Sequence, residues 1–176
     1  MMVSRESLPV LIGAGIALLA QIIIVPNIAL FAAMPNFLVT YVIVVAMVRP
    51  STSVYVLAFV LGLLSDLLGY GPVGAMPFLL LLAAFVVSRV FSALDNGTVF
   101  MPLLVFIVTV FAIEIFYAAF LVGLGIDASF VDAFLYRALP CALYDCVCAL
   151  LLYPLGRRFL ELKPLANVAT NKPHFR

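Results

Sequence analysis

Charged residues are scarce in this sequence of 176 residues. Only 10% of the residues are Asp, Glu, Lys or Arg, whereas 67% are hydrophobic, and the mean hydropathy is +1.32. Water-soluble domains usually contain about 25% charged residues, and disordered chains are poor in apolar ones. Both classes are therefore excluded, and the composition predicts a protein that lies mostly in lipid.

Side chains suited to catalysis or metal binding are also few. The single histidine, His174, lies near the C-terminus, and Cys141, Cys146 and Cys148 have neither a metal-ligand spacing nor a disulfide pattern. The sequence contains no phosphate-binding glycine loop of the Walker type. A net charge of +1 offers no basic surface for nucleic acid. We therefore expect no catalytic residue, metal, cofactor or nucleic-acid partner.

Six apolar runs divide the chain. About 20 helical residues are needed to cross a hydrocarbon core of ~30 Å. The second run reaches only about 21 Å as a helix, so it is interpreted as tilted, re-entrant or buried inside the bundle. The pattern predicts an all-α bundle of six transmembrane helices, with one domain over residues 1–160 and a short cytoplasmic tail over 161–176. The runs are Leu8 to Leu30, Pro35 to Val48, Ser53 to Tyr70, Met76 to Leu94, Val99 to Leu124 and Arg137 to Leu155.

The basic residues predict the orientation. If six spans alternate from a cytoplasmic N-terminus, Arg137 is the one Lys or Arg of nine that lies outside. Cytoplasmic loops carry an excess of Lys and Arg, so this bias predicts that both termini are cytoplasmic. The residues at or near the cytoplasmic side are then Arg5, Arg49, Arg89, Arg157, Arg158, Lys163, Lys172 and Arg176.

Three acidic residues lie within the apolar runs, where an ionisable group is costly and is a functional candidate by default. Asp66 and Glu114 are about 20 Å into their runs, toward the outer side, and Asp145 is nearest the middle of its run. Asp66 is interpreted either as facing a cavity or partner, or as a helix-end acid that water or backbone amides reach. Glu114, with Tyr117 one turn on, is interpreted as bonding to a neighbouring helix. Asp145 is expected to face the bundle interior, where it would bond to another helix. The surroundings of Asp66 and Asp145 do not resemble a membrane aspartyl protease, and we expect no enzyme.

Two arginines flank the runs. Arg89, at the inner end of the fourth run, is expected to extend toward lipid phosphates. Arg137, the single outside cation, is predicted to pair with one acid of the outer side. The candidates are Asp66, Glu114, Asp127 and Asp132.

The first run carries small residues at helical spacing. Gly13 and Ala17 are four residues apart, and Gln21 follows on the same face. Small residues let membrane helices approach closely. This face is therefore a candidate contact for a partner's helix or for another helix of the same bundle.

A more specific pattern lies at the end of the third run. Gly62 and Asp66 are followed by a short glycine loop with Pro72 and Gly74. This segment resembles the MreD family of bacterial rod-shape proteins, whose pattern is GLxxD, a glycine loop and Pro-x-Gly. The similarity extends over about Leu8 to Leu160, including Gln21 and the segment Pro35-Asn36-Phe37-Leu38.

The resemblance implies a fold and a function. It implies that Gly62, Asp66, Pro72 and Gly74 shape the outer end of the third helix, with Asp66 as a polar anchor. It also implies a fold similar to the six-helix substrate-binding subunits of energy-coupling-factor vitamin transporters. MreD-like proteins belong to the wall-elongation machinery of the bacterial inner membrane. The implied partners are MreC, which is bitopic, a RodA-type glycosyltransferase, a class B penicillin-binding transpeptidase, MreB filaments and membrane lipid.

Two functional hypotheses follow. The first is a non-enzymatic scaffold that binds the membrane helix of an MreC-like partner and helps to control cell shape and peptidoglycan synthesis. The alternative is a substrate-binding subunit of a vitamin-type transporter, with Asp66, Glu114 and Arg137 lining an outward pocket. A combination, in which such a pocket holds a lipid or a wall precursor, also remains open.

Overall fold

Six helices form the part of the chain that the computed structural model describes, which is residues 7–29, 34–69, 71–93, 100–126 and 129–160. No strand occurs in these ranges. The last helix, called α6 here, is α-helical over Phe130–Ala133, π-helical over Phe134–Ala138 and α-helical again over Leu139–Leu160. The others are α1 (Leu8–Ile23, followed by a 3-10 turn, Val25–Asn27), α2 (Phe37–Val48), α3 (Thr52–Leu68), α4 (Ala75–Ala93) and α5 (Phe100–Gly123).

Four helical segments are long and apolar enough to cross a membrane. They are Leu8–Asn27, Ala75–Ala93, Phe100–Gly123 and Phe130–Arg158. Helices α2 and α3 are shorter, with 12 and 17 residues, or about 18 and 26 Å at 1.5 Å per residue. The all-α prediction is confirmed, whereas six full spans and the likeness to vitamin-transporter subunits stay predictions.

Helix α2 lies at the centre of the bundle. It contacts α1, α3, α4, α5 and α6, and every residue from Leu38 to Met47 except Tyr41 is buried. A helix that is apolar all round is one that is buried all round. The structure thus places the short second run inside the bundle, which was one of the three interpretations left open by its length.

Helices α3 and α4 form a close antiparallel pair. A Cβ atom built on Gly62 would lie 2.6 Å from the Cα and 2.7 Å from the N of Pro77. Real Cβ atoms do not approach backbone so closely, so the absence of a side chain at Gly62 lets the two helices meet at this level.

The sixth helix is longer than predicted. The sequence pattern predicted a run from Arg137 to Leu155, whereas α6 extends from Phe130 to Leu160. It begins seven residues earlier, at Phe130, because Ala133 and Ala138 bury an apolar face together with Ala118 of α5. It continues to Leu160 through Gly156, where an added Cβ would lie 2.7 Å from Cγ1 of Val44 in α2. Packing on α2 and α5 therefore sets the length of this helix.

Candidate functional site

Polar side chains converge where α1, α3 and α5 end and where α2, α4 and α6 begin. This end of the bundle is called the polar end, and the other the basic end. The convergent residues, called the polar cluster, are Gln21, Asn36, Ser65, Asp66, Glu114 and Asp145.

Asn36 organises the start of α2. Its Oδ1 accepts hydrogen bonds from the backbone N–H groups of Leu38 and Val39, both at 3.2 Å. Its Nδ2 donates to Oγ of Ser65 in α3 at 2.9 Å. The first N–H groups of a helix have no partner inside the helix, and lipid supplies none. Sequence reasoning missed this role, although an Asn directly before an apolar run is a helix-start signal.

Asp145 reaches the same point from α6. The residue is fully buried, and its Oδ1 accepts a hydrogen bond of 2.6 Å from the backbone N–H of Asn36. Its Oδ2 has no hydrogen-bond partner. The acceptor lies at the N-terminus of α2, where unpaired N–H groups carry partial positive charge. The most deeply placed acid of the sequence therefore links α6 to the central helix.

Gln21 links α1 to the start of α2. Its Oε1 accepts a hydrogen bond from the backbone N–H of Phe37 at 2.8 Å, and its Nε2 donates to the carbonyl oxygen of Pro35 at 3.4 Å. Three helices, α1, α3 and α6, thus supply polar groups to one helix end, which fixes the position of α2 against each of them.

Gly13 and Ala17 lie on the side of α1 that packs inside the bundle. A Cβ atom on Gly13 would meet the hydroxyl of Tyr41, and Ala17 is buried. The Tyr41 hydroxyl donates to the carbonyl oxygen of Val10 at 2.7 Å. Of the two interpretations of the Gly13, Ala17 and Gln21 face, the structure shows contact with a helix of the same bundle.

Asp66 holds the turn between α3 and α4. The residue is 3% exposed, and its Oδ2 accepts hydrogen bonds from the backbone N–H groups of Gly74 at 2.7 Å and Met76 at 3.2 Å. Gly74 has a φ of +109°, in the left-handed region that favours glycine. The carbonyl oxygen of Pro72 accepts from the N–H of Ala75 at 3.3 Å. The carboxyl of α3 thus caps the first turn of α4.

Glu114, Tyr117 and Arg137 lie together between α5 and α6. Glu114 is buried, and Arg137 exerts an attractive Coulomb interaction on it. The Arg137 guanidinium lies 5.7 Å from the centre of the Tyr117 ring. Three other acids were predicted as partners of Arg137. Asp66 bonds to the α4 backbone, and Asp132 lies on the exposed side of α6. Asp127 is outside the described residues.

The remaining candidates lie elsewhere. Arg89 is exposed on α4, with its guanidinium 5.4 Å from the centre of the Phe85 ring. The cysteines are free thiols, and no group of three or more His, Cys, Asp or Glu that could hold a metal occurs in the described residues. Residues Arg5, His174 and the tail over 161–176 are outside the described ranges. The polar cluster is therefore suited to holding helices in place.

The family model for the rod shape-determining protein MreD matches residues 4–163. The chain belongs to the MreD family. The comparison with curated proteins gives no match, and neither does the comparison with solved structures. Membership supports a role in determining rod shape, and together with the long apolar helices it fits a multi-pass inner-membrane protein.

The residues that carried the MreD resemblance occupy one small region of this MreD-family chain. Gly62 lies against Pro77, while Asp66 bonds to the backbone of Gly74 and Met76. Both contacts hold α3 against the start of α4. The functional role of these residues stays a prediction.

Replacing Asn36 by alanine should lower the free energy of unfolding by about 1–2 kcal/mol, because two N–H groups of α2 lose their acceptor. Thermal unfolding of the purified chain in detergent measures the change. The Asn36→Ser variant retains a capping oxygen and should recover most of the loss. Asn27→Ala is the matched control, because Asn27 is exposed and bonds only to the backbone of its own helix. Equal midpoints for the two alanine variants would contradict the capping role.

Proposed function

We propose that this MreD-family chain is a non-enzymatic membrane scaffold that binds the transmembrane helix of an MreC-like bitopic protein. The observation that carries the proposal is the surface of α1. Only 11% of its span is buried, whereas 28–50% of the other three candidate spans is buried. The apolar window of α1 is therefore covered to a smaller extent than those of the other three candidate spans.

The proposed contact face of α1 is the side opposite Gly13. Gly15 lies on it, and nothing lies within 4 Å of an added Cβ there. Large apolar side chains surround this gap, and a small residue among large ones allows the backbone of a second helix to approach. The exposed large side chains of this helix are Leu8, Leu11, Ile12, Ile16, Leu19, Ile22 and Ile23.

The mechanism is one of positioning. Gln21 bonds α1 to the start of α2, and α2 is fixed by Asn36 and Asp145, so α1 is a firm support for a partner helix. We propose that this support sets the height and orientation of the partner, so that its periplasmic domain engages a RodA-type glycosyltransferase and a class B transpeptidase. Contact with MreB filaments is then indirect.

The orientation belongs to the same proposal. Among the described basic residues, Arg49, Arg89, Arg157 and Arg158 belong to the basic end of the bundle, and Arg137 to the polar end. The excess of Lys and Arg on cytoplasmic sides supports a cytoplasmic basic end and cytoplasmic termini. The polar end then faces the periplasm, where the MreC-like domain lies.

Replacing Gly15 by leucine should reduce copurification of the MreC-like protein with the tagged chain by about tenfold, since overpacking a helix contact by 1.4 kcal/mol weakens binding tenfold. The fold should be retained, because the new side chain meets open space. Gly123→Leu on α5 is the matched control, since an added Cβ there also meets nothing within 4 Å. If the Gly15→Leu variant copurifies with the MreC-like protein as well as the wild type does, this face of α1 is not the contact surface for the partner helix.

The transporter alternative has less support. It requires Asp66 to face a ligand, but the Asp66 carboxyl bonds to the backbone of Gly74 and Met76. The family assignment also supports rod-shape determination. The scaffold is therefore the function that we propose.

A further inference from the structure

A cavity of about 300 Å³ lies at the basic end of the bundle. Met47 and Val48 line it at the end of α2. Its other lining residues include Phe91 and Ser92 near the end of α4, and Tyr153 and Arg157 near the end of α6. The central helix stops at Val48, and the cavity lies beside its last turn, between the ends of α4 and α6. Its volume is at the lower end of the range found for small-ligand sites.

The lining of this cavity is amphipathic. Arg157 contributes a guanidinium and Tyr153 a hydroxyl group, while Met47, Val48 and Phe91 are apolar. The hydroxyl of Ser92 also lines the cavity, but it already donates to the carbonyl oxygen of Ser88 at 2.6 Å. A guanidinium presents a planar set of N–H donors that matches the oxygens of a phosphate. The cavity thus combines groups for a phosphate with groups for hydrocarbon.

The charges around the cavity are of one sign in the described part of the chain. Arg49 adjoins the lining residue Val48, and Arg158 adjoins Arg157. The acids of the described ranges belong to α3, α5 and α6 at the polar end: Asp66, Glu114, Asp132 and Asp145. Positive charge therefore predominates among the described residues of the basic end, which favours an anionic ligand.

We propose that this cavity binds the headgroup phosphate of an anionic phospholipid, with Arg157 contacting the phosphate and Met47, Val48 and Phe91 contacting the glycerol and upper acyl chain. A basic pocket between membrane helices is a known kind of lipid headgroup site. The mixed lining favours a lipid over free phosphate, because a free ion leaves the apolar side uncovered. This site is separate from the α1 face and does not depend on an MreC-like partner.

Native mass spectrometry of the full purified chain with added phosphatidylglycerol tests the proposal. Arg157→Gln should weaken lipid retention about tenfold, because it removes a charge-assisted hydrogen bond to the phosphate. Ser92→Leu keeps the charge and adds apolar bulk to the cavity lining, and it should also weaken retention. Arg158→Gln is the matched control, because this exposed neighbour is not among the lining residues; its retention should stay within twofold of the wild type.

Two competitors complete the experiment. Zwitterionic phosphatidylcholine should be retained less than phosphatidylglycerol, and millimolar inorganic phosphate should not displace the lipid. Equal losses of lipid retention in the Arg157→Gln and Arg158→Gln variants would mean that the lipid is attracted by the surface charge in general. Full lipid retention by Ser92→Leu would mean that the lipid binds outside this cavity. Displacement by inorganic phosphate would make this a site for the free ion. Each of these results overturns the proposal, and Ser92→Leu keeps it testable if Arg157→Gln does not fold.

Discussion

Replacing Gly62 by leucine should prevent the bundle from folding, and even alanine at this position should lower the free energy of unfolding by about 2–3 kcal/mol. The added Cβ would lie 2.6 Å from Pro77 Cα, 2.7 Å from Pro77 N and 3.0 Å from the carbonyl carbon of Met76. These are backbone atoms of α4, so rotation of a side chain cannot relieve the clash with the added Cβ. Overpacking a well-filled contact typically costs ~1–3 kcal/mol, and a backbone obstruction lies at the upper end of that range.

The matched control for Gly62→Ala is Gly15→Ala. A Cβ atom on Gly15 meets nothing within 4 Å, and alanine is favoured over glycine inside a helix by about 1 kcal/mol. Gly15→Ala should therefore unfold at or above the wild-type temperature in detergent, while Gly62→Ala should unfold well below it. Identical midpoints for the two variants would mean that α3 and α4 do not meet at Gly62.

Replacing Asp66 by alanine should lower the free energy of unfolding by about 2–4 kcal/mol. The backbone N–H groups of Gly74 and Met76 would lose their acceptor in a site where Asp66 is 3% exposed. Each buried donor left unpaired costs about 1–3 kcal/mol. Hydrogen exchange at the first turn of α4 should rise together with the loss of stability, because that turn is where the two bonds end.

Two variants sharpen the test at Asp66. Asp66→Asn keeps one acceptor oxygen, so its stability should lie between those of the wild type and of Asp66→Ala. Asp132→Ala removes an exposed carboxyl from α6 and should change the free energy of unfolding by less than about 0.5 kcal/mol. If Asp66→Ala is as mild as Asp132→Ala, the carboxyl does not hold the turn.

Most of the helices could be predicted from the sequence. In lipid, the backbone N–H and C=O groups of a long apolar run find hydrogen-bond partners mainly within a helix. The start of α6 was missed. A Ser with an acid three residues later, here Ser129 and Asp132, is a helix-start signal, and the helix begins at Phe130 and not at Arg137. Its first residues are held by the packing of Ala133 and Ala138 with Ala118. That contact joins residues distant in sequence, and no local pattern reports it. The burial of α2 had the same origin, since its length allowed three interpretations.

The polar candidates were predictable as residues, but their partners were not. Asp66, Asp145 and Gln21 accept hydrogen bonds from backbone N–H groups, and every residue except proline has such a group, so the sequence gives no signal for the pairing. In a regular α-helix, Arg137 and Asp145, which are eight residues apart, would lie on neighbouring parts of one face. The π-helical segment Phe134–Ala138 contains an additional residue per turn, and the structure leaves Arg137 exposed while Asp145 is fully buried.

The central position of α2 also constrains how the chain is inserted during synthesis. The acceptor for the Asn36 N–H is Asp145, 109 residues later, and the carbonyl of Ile28 bonds to Tyr144, 116 residues later. Until the ribosome has delivered α6, these groups have no partner in hydrocarbon. A nascent chain that stops after α5 therefore lacks these two partners, and the start of α2 is completed only when α6 has entered the membrane.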